Sequence, residues 1–380
     1  MKTISKYSFG IGDRFAQEGV NQLKALIQAE KDFGVHFTPV WNKSNREHTI
    51  IGTDPMSTRR EADAAVKALG YADAYFCDAD HINLTNVDKV IDACDFFTID
   101  VADYIGKSGS VEERYLPAVK EAGRIYRHIA ERKGAENFVT EVSMDEVDVA
   151  QTPDEIRYIL TALAKEKVPL QTFAPKFTGR FNKGVDYVGD LKRFETEFEE
   201  DLKVVAWAVE ELGLPKNLKL SVHSGSDKFS IYPIMGRLIR TYDQGIHVKT
   251  AGTTWLEEII GLALADEQAL ALAKKIYRTA LTRMDELTVP YATVIDVKKE
   301  QLPDPAVVDG WDADTFAKTL RHDEDEPKYN PSFRQLIHVS FKVAAELGAE
   351  YYPALEKHAD VIGGEITANI CDRHVRLLFA

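Results

Sequence analysis

The sequence contains few cysteines and no long apolar segment. Its three cysteines, Cys77, Cys94 and Cys371, form neither a disulfide framework nor a CxxC zinc motif, so we expect all three to be reduced. No window approaches the roughly 18 consecutive apolar residues of a membrane helix, and the start, MKTISKYSFGIGDRF, lacks the apolar run of a signal peptide. These absences predict a cytoplasmic protein without a membrane span.

Positive charge is also scarce. The chain has 47 Lys and Arg against 61 Asp and Glu, a net charge of −14, and no basic low-complexity stretch. Nucleic acid is therefore not an expected partner, because phosphate binding needs a dense basic face. The glycines of Gly10-Ile11-Gly12 do not continue as GxGxxG and no Walker lysine follows, so no nucleotide fingerprint is present. The oligomeric state stays open, a homo-oligomer included.

Short apolar or β-branched runs recur along the first two thirds of the 380 residues, each followed by polar residues and a segment of helical spacing. This rhythm is typical of repeated βα units. The eight runs begin near Tyr7, Phe37, Tyr75, Phe96, Phe138, Leu170, Leu218 and Ile246. Candidate helices between them cover residues 58–69, 112–133, 153–167 and 194–212, and Pro153, with Thr152 as its cap, suits a first helical turn.

Eight parallel strands with intervening helices predict an α/β fold of the TIM-type (β/α)8 barrel class, with an open doubly wound sheet as the alternative. From about Leu256 the pattern becomes helical, over residues 256–284, 331–347 and 351–358. We therefore expect a catalytic barrel domain at residues 1–260 and a helical extension packed on it at residues 261–380. The acidic segment 322–331 is expected to be a solvated loop.

Ionisable residues follow almost every apolar run, at the barrel end where catalytic groups stand. His81, His223 and His247 fall at or near the ends of strands 3, 7 and 8. Three converging imidazoles would leave an open position on a catalytic divalent cation, for which Zn, Ni, Co and Mn are all candidates. The alternative is that each imidazole only hydrogen-bonds in a polar barrel mouth.

Carboxylates that could move protons lie beside these histidines. Asp80 adjoins His81, so that a base and a metal ligand could flank the same substrate atoms; its alternative role is to orient a histidine. A second acid or base is expected at Asp186, in the long loop after strand 6, and Glu141 at the tip of strand 5 competes with it.

The same loop and its neighbours reverse the sign of charge locally. An electropositive mouth that binds a small anionic substrate is predicted from Lys176, Arg180, Lys183 and Lys228, joined from the other strands by Arg14, Lys43 and Lys249. Some of these cations could instead pair with neighbouring carboxylates, and a Schiff-base role competes for Lys176 or Lys249.

Five segments resemble one known family. FTPVWNKSN, FCDADHI, PKFTGRFNKGVDYVGD, SVHSGSDKFSIYP and HVKTAGTTWLEE look like the metal-dependent tagaturonate epimerases, which interconvert tagaturonate and fructuronate in bacterial hexuronate breakdown. The resemblance runs from about Tyr7 to Glu258. It implies a divalent cation, a hexuronate substrate, Asp80 and His81 as the adjacent acid and metal ligand, His223 and His247 as later ligands, and Asp186 as the second acid or base.

The chemistry of this reaction favours a retro-aldol route. The inverted carbon is β to the ketone, so its C–H bond is not acidified, whereas cleavage to an aldehyde and an enediolate followed by re-addition inverts the centre. A class II aldolase or ketose isomerase acting on sugar acids, and a non-catalytic sugar-acid sensor, are the alternative functions.

Overall fold

Eight parallel strands close into a barrel in chain order. The computed structural model describes residues 2–250 and 253–379. Each strand begins within two residues of its predicted apolar run, so the TIM-type barrel is confirmed. The strands are β1 (Tyr7–Ile11), β2 (Thr38–Ser44), β3 (Phe76–Ile82), β4 (Phe96–Asp100), β5 (Val139–Ser143), β6 (Thr172–Ala174), β7 (Lys219–Val222) and β8 (Ile246–Lys249).

Helices follow the first seven strands on the outside of the barrel. The predicted cap of one of them is present: Thr152 accepts a hydrogen bond from the backbone N–H of Glu155, and Pro153 opens the helix. These helices are Gly19–Phe33, Asn45–Ile51, Met56–Leu69, Val87–Val90, Val111–Lys133, Pro153–Lys165, Leu191–Leu212 and Tyr232–Thr241, with a 3₁₀ turn at Ala102–Tyr104.

The last third of the chain is helical, as predicted, but more finely divided. The helix expected over residues 256–284 is broken at Asp266, whose side chain caps the next helix through the N–H of Ala269. The helices are Thr253–Ala265, Glu267–Thr282, Met284–Thr288, Pro305–Asp309, Ala313–Leu320, Pro331–Val339, Phe341–Glu346, Gly348–Lys357, Ala359–Thr367 and Arg376–Phe379, with 3₁₀ turns at Val289–Tyr291 and Lys299–Gln301 and a π-helix at Ala368–Val375.

This helical part packs closely on the barrel. The ring of Phe379 lies 4.8 Å from that of Tyr7 in β1. Gly236 lets the helix Tyr232–Thr241 approach the backbone at Leu378 so closely that a Cβ atom would collide with it. The boundary predicted at residue 260 falls inside the helix Thr253–Ala265, and the division into two domains stays a prediction.

The acidic segment 322–331 differs from the prediction at one residue. The segment 322–331 is mostly exposed, as expected, but His322 is 1% exposed, because its ring packs between Phe229 and Tyr329.

Within residues 2–250 and 253–379, the helices are all too short or too polar to cross a membrane.

Candidate active site

A cavity of about 910 Å³ opens at the carboxyl ends of the strands. Ionisable side chains at or just beyond the carboxyl ends of all eight strands contribute to its wall, with Arg14 after β1 and Arg46 and Glu47 after β2, and the remainder come from β3 to β8. These residues are Asp80, His81, Asp100, Asp145, Glu146, Lys176, His223 and Lys249.

His81 reaches the cavity through an irregularity in its strand. Asp78 and Asp80 alternate on the inner face of β3, so a regular strand would turn His81 outward. The pairing of β3 with β4 shifts register between Ala79 and Ile82, and His81 has a φ of +51°. A bulge of this kind redirects a side chain, and here it brings the imidazole into the cavity.

His81, His223 and Asp145 form a group whose potential ligand atoms lie within 4.8 Å of one another. The imidazole rings are 5.1 Å apart between centroids, and Nδ1 of His223 is 3.1 Å from Oδ1 of Asp145. A second group shares His81 and adds Asp100 and Glu146. Groups that could ligate a metal ion are therefore present in this cavity.

Each imidazole of the first group has one nitrogen engaged by a carboxylate. Nε2 of His223 lies 2.7 Å from Oε1 of Glu141, and Nδ1 of His81 lies 3.2 Å from Oδ2 of Asp100. The other ring nitrogen of His223, Nδ1, is buried and lies 3.1 Å from Oδ1 of Asp145, a member of the same potential ligand group. If Nε2–H of His223 donates to Glu141, a cation could replace the proton on Nδ1 and bind this nitrogen together with Asp145, because carboxylates orient metal-binding histidines in this way.

The surrounding carboxylates favour positive charge at both imidazoles. Burial alone would lower their pKa values, but Asp80 outweighs it at His81, whose pKa is raised to about 10. Asp145 does the same at His223, whose pKa is raised to about 9. A negative potential of this kind attracts a cation, which would displace the protons on binding.

Lys249 is the centre of a buried ionic network. Its Nζ atom lies 2.7 Å from Asp78, 2.9 Å from Asp80 and 3.0 Å from Glu141. Burial alone would lower its pKa, but these three carboxylates outweigh burial and raise the pKa well above the ordinary value. The amine is therefore held as a cation, which disfavours the Schiff-base role, since that role needs a neutral amine.

Asp80 lies at the cavity end of this network. Burial would raise the pKa of its carboxyl group, but Lys249 outweighs it and lowers that pKa. Asp80 is thus an anion on the cavity wall beside His81, and its role as a base stays a prediction.

His247 lies deeper in the barrel than the other two predicted ligands. In the pairing of β7 with β8, His247 lies opposite Ser221, which comes two residues before His223. His247 is therefore roughly 7 Å deeper in the barrel than His223. Its Nδ1 lies 2.8 Å from the Ser8 hydroxyl, and burial lowers its pKa to about 3. The structure therefore does not bring His247 to the group formed by His81 and His223.

Asp186 and Lys228 lie outside the cavity wall and are engaged by the protein. The carboxylate of Asp186 accepts hydrogen bonds from the backbone N–H and hydroxyl of Ser230. Nζ of Lys228 donates to the carbonyls of Asn182, Val185 and Ser226 at 2.7–2.8 Å. Burial lowers the pKa of Lys228 to about 7. Both side chains support the loops around the cavity rather than pointing into it.

Lys176 and Arg180 do line the cavity, as predicted, on the wall formed by the loop after β6. Arg180 is 54% exposed and lies 3.8 Å from Asp296. Three further cations of the wall are Arg14, Arg46 and Lys183. These five cations, together termed the basic wall, share the cavity with the carboxylates beside the histidines.

Sequence reasoning missed Asp145 and Glu146 as site residues. Both come just after the end of β5, and the rule that found Asp80 and His81 at the carboxyl end of β3 applies equally to them. Glu141, two residues before the end of β5, drew attention instead, but it is fully buried beneath His223 and Lys249.

A comparison with known protein families identifies the family of this chain. A model of the UxaE family, tagaturonate epimerase, matches residues 109–358. The chain belongs to the tagaturonate epimerase family. It is therefore an enzyme of the isomerase class, and the family that the sequence resembles is confirmed.

Known members support the family and the fold. A tagaturonate/fructuronate epimerase from Thermotoga maritima is 27% identical, over 98% of this chain and 80% of its own length. A glycerol-complexed crystal structure of fructuronate-tagaturonate epimerase UxaE from Cohnella laeviribosi superposes with a TM-score of 0.84 at 22% identity, covering 99% of this chain and 82% of the other. A probable tagatose 6 phosphate kinase from Sinorhizobium meliloti 1021, with a TM-score of 0.55 at 12% identity and coverage of 98% and 100%, shares the fold alone.

Proposed function

We propose that this protein interconverts tagaturonate and fructuronate with the help of a divalent cation, in the cytoplasm. Family membership supports the reaction. The observation that carries the proposal is that one cavity holds both a potential ligand group beside Asp80 and a set of cations. A ketose acid needs both, because its reacting hydroxyls and its carboxylate lie at different places along one short chain.

His81, His223 and Asp145 are the residues that would hold the cation. Two imidazoles and one carboxylate, each imidazole oriented by a further carboxylate, suit Zn, Ni, Co or Mn with positions left open for substrate oxygens. When bound, the cation supplies Lewis-acid stabilisation of negative charge that develops on substrate oxygens.

Asp80 is the proposed proton acceptor. It takes the proton from the hydroxyl of the carbon to be inverted, and the bond from that carbon to its neighbour beside the ketone breaks, giving an aldehyde and an enediolate. The aldehyde turns, the carbon–carbon bond forms again on its other face, and the proton returns to the new hydroxyl. Lys249 keeps Asp80 ionised and holds it in place for both transfers.

A second acid or base on the cavity wall is better supplied by Glu146 than by Asp186 or Glu141. Glu146 lines the cavity, and none of the described residues donates a hydrogen bond to its side chain. Asp186 is held by Ser230 and Glu141 by His223 and Lys249. Lys176 and Arg180, on the basic wall, are proposed to contact the substrate.

The direct test is incubation of metal-loaded protein with tagaturonate, followed by NMR. Fructuronate should accumulate until equilibrium, and the His223→Ala variant should be inactive while keeping its fold by circular dichroism. Accumulation of two shorter fragments would instead identify an aldolase, and unchanged tagaturonate would contradict the proposed reaction.

A further inference from the structure

Most cations of the basic wall are already partnered by protein groups. Arg14 forms an ion pair with Glu47 at 2.9 Å and is 3% exposed. Arg46 donates to the carbonyl of Pro290 at 3.3 Å. Arg180 lies near Asp296 in solvent. Of these three side chains, Arg14 is held in a close ion pair, whereas Arg46 and Arg180 are exposed and their charges are largely hydrated.

Lys183 differs from them. It lines the cavity, and no hydrogen bond or ion pair of its Nζ atom occurs among the described residues. Glu47, Asp80 and Glu146 are close enough to influence its pKa, yet none forms an ion pair with it. Burial lowers that pKa, so the ammonium group is partly desolvated and would gain from an anionic partner.

The backbone around Lys183 is held rigidly. Its own N–H donates to Val294 at 2.8 Å, and its carbonyl accepts from Nε2 of Gln335 at 3.2 Å. On either side, the carbonyls of Asn182 and Val185 accept from Lys228. The protein thus fixes the chain at this position.

The residue after Lys183 is also held by a hydrogen bond to its carbonyl group. The carbonyl of Gly184 accepts a hydrogen bond from Nε of the fully buried Arg334 at 2.6 Å. Gly184 itself has a φ of +74°, a conformation that favours glycine. Buried cations therefore hold this segment through its carbonyls and leave one cationic side chain, Lys183, directed into the cavity.

We propose that Lys183 binds the carboxylate of the substrate and thereby selects sugar acids over neutral sugars. This inference rests on the proposed function, in which the substrate is a hexuronate. A preorganised backbone means that little conformational freedom is lost when the ion pair forms, so the pair contributes to specificity. Lys176, which also lacks a side-chain partner among the described residues, is the secondary contact.

The test compares binding of a charged and a neutral sugar by isothermal titration calorimetry. Lys183→Met should raise the Kd for tagaturonate roughly 10- to 100-fold, the loss expected when a charge-assisted hydrogen bond is removed. The Kd for tagatose, its neutral counterpart, should change less than about 2-fold, because tagatose has no carboxylate to pair. Lys183→Arg should restore at least part of the selectivity.

Lys120→Met is the matched control, because it removes the same charge from an exposed position on the helix Val111–Lys133. Equal weakening of both sugars in Lys183→Met, or unchanged tagaturonate binding in that variant, would overturn the proposal, as would an equally large effect of Lys120→Met.

These outcomes are separable from failure of the proposed function. Calorimetry reports on Lys183 whether or not turnover occurs. Wild-type protein that binds tagaturonate but does not epimerise it would overturn the proposed reaction and leave the role of Lys183 supported. Wild-type protein that prefers tagatose to tagaturonate would overturn the role of Lys183.

Discussion

A single backbone angle decides whether His81 reaches the cavity. Its φ of +51° lies in the left-handed region, which is uncommon for residues other than glycine, asparagine, aspartate and histidine. Strain of this kind persists at functional sites where the surrounding structure holds it. Here the bulge in β3 places a potential ligand directly beside Asp80 on the cavity wall.

We expect Asp80→Asn to lower turnover by roughly 10²-fold or more, because the amide keeps the shape of the carboxylate but cannot accept a proton. Metal content should stay near that of the wild type, since Asp80 is not a proposed ligand. Steady-state kinetics and elemental analysis measure the two effects.

An isotope label tests the retro-aldol route directly. Deuterium on the inverted carbon should stay in the product, because a retro-aldol route never breaks that C–H bond. Loss of the label to solvent would refute the route, and normal turnover of Asp80→Asn would transfer the role of base to another carboxylate, first Glu146.

Removal of the metal with a chelator should abolish epimerisation, and restoring the cation should restore it. His223→Ala and Asp145→Asn should each lower metal affinity by at least roughly 10-fold, whereas His247→Asn should keep its metal, since His247 lies deeper and bonds to Ser8. Mass spectrometry of dialysed protein measures the metal. Loss of metal in His247→Asn would instead support the three-histidine metal site that was predicted from the sequence.

Loop elements around the cavity depend on buried side chains that never touch it. Lys228 joins the loop after β6 to the loop after β7 through three carbonyls. Its removal would leave these buried acceptors without partners. Such a residue influences the site through position, and its effect should not discriminate between substrates by charge.

Lys228→Met should therefore lower the free energy of unfolding by about 2–4 kcal/mol and raise KM equally for tagaturonate and for the neutral hexulose. Chemical denaturation and steady-state kinetics on both substrates measure the two effects. Lys176→Met is the comparison variant, and it should raise KM for tagaturonate alone. If Lys228→Met instead raised KM for tagaturonate alone, that result would indicate that Lys228 contacts the substrate.

The π-helix Ala368–Val375 places His374 against the loop after β7. Nε2 of His374 accepts the backbone N–H of Asp227 at 3.1 Å, and Nδ1–H donates to the carbonyl of Asn369, five residues earlier. Burial lowers the pKa of His374 to about 4, so the ring is neutral in the folded protein at neutral pH.

This arrangement predicts a loss of stability in acid. In the unfolded chain His374 has a pKa near 6.5, whereas the folded ring is protonated only near pH 4. The unfolded state therefore binds more protons between these two pH values. As a result, the free energy of unfolding falls by up to roughly 3 kcal/mol as the pH falls from about 6.5 to 4. Urea unfolding of metal-free protein at pH 7, 6 and 5 measures it. The stability difference between wild type and His374→Gln should narrow by roughly 2 kcal/mol at pH 5, and a constant difference would contradict the assignment.

At the scale of the whole molecule, one buried arginine ties the helical part to the barrel. Arg334, in the helix Pro331–Val339, donates to the carbonyls of Gly184 and Leu320 and to the carboxylate of Asp227. Both partners of the ion pair are fully buried. The C-terminal helices are thus joined to two loops that border the cavity.

Arg334→Met should lower the free energy of unfolding by about 3–5 kcal/mol, because it leaves the Asp227 carboxylate buried and unpaired. Adding Asp227→Asn should recover part of the loss. Arg278→Met, which breaks the exposed pair with Asp309, is the control and should change stability by less than about 1 kcal/mol. Denaturant unfolding measures all three, and similar losses for both arginines would contradict the coupling.

The polarity of the cavity runs against the charge of the whole chain. A net charge of −14 keeps the surface acidic, while five cations gather on one wall of the cavity: Arg14, Arg46, Lys176, Arg180 and Lys183. Such a local reversal of potential directs an anionic substrate to that wall.

The amino-acid sequence alone determined the barrel, the family and the end of the barrel at which the site lies. Apolar runs of strand length that alternate with helical segments have few packed solutions, and the carboxyl ends of parallel strands meet at one face. The residues that could be predicted for the cavity on this basis are Asp80, His81, His223, Lys176, Arg180, Lys183 and Lys249.

Only the tertiary structure decided which of these side chains meet. Depth along β8 separates His247 from His223, a bulge turns His81 inward, and loop folding fixes Lys228 and Asp186 outside the cavity while it directs Lys183 inside. Local patterns give the position of a residue along a strand or loop, but the direction of a side chain depends on register and on buried partners that are distant in sequence.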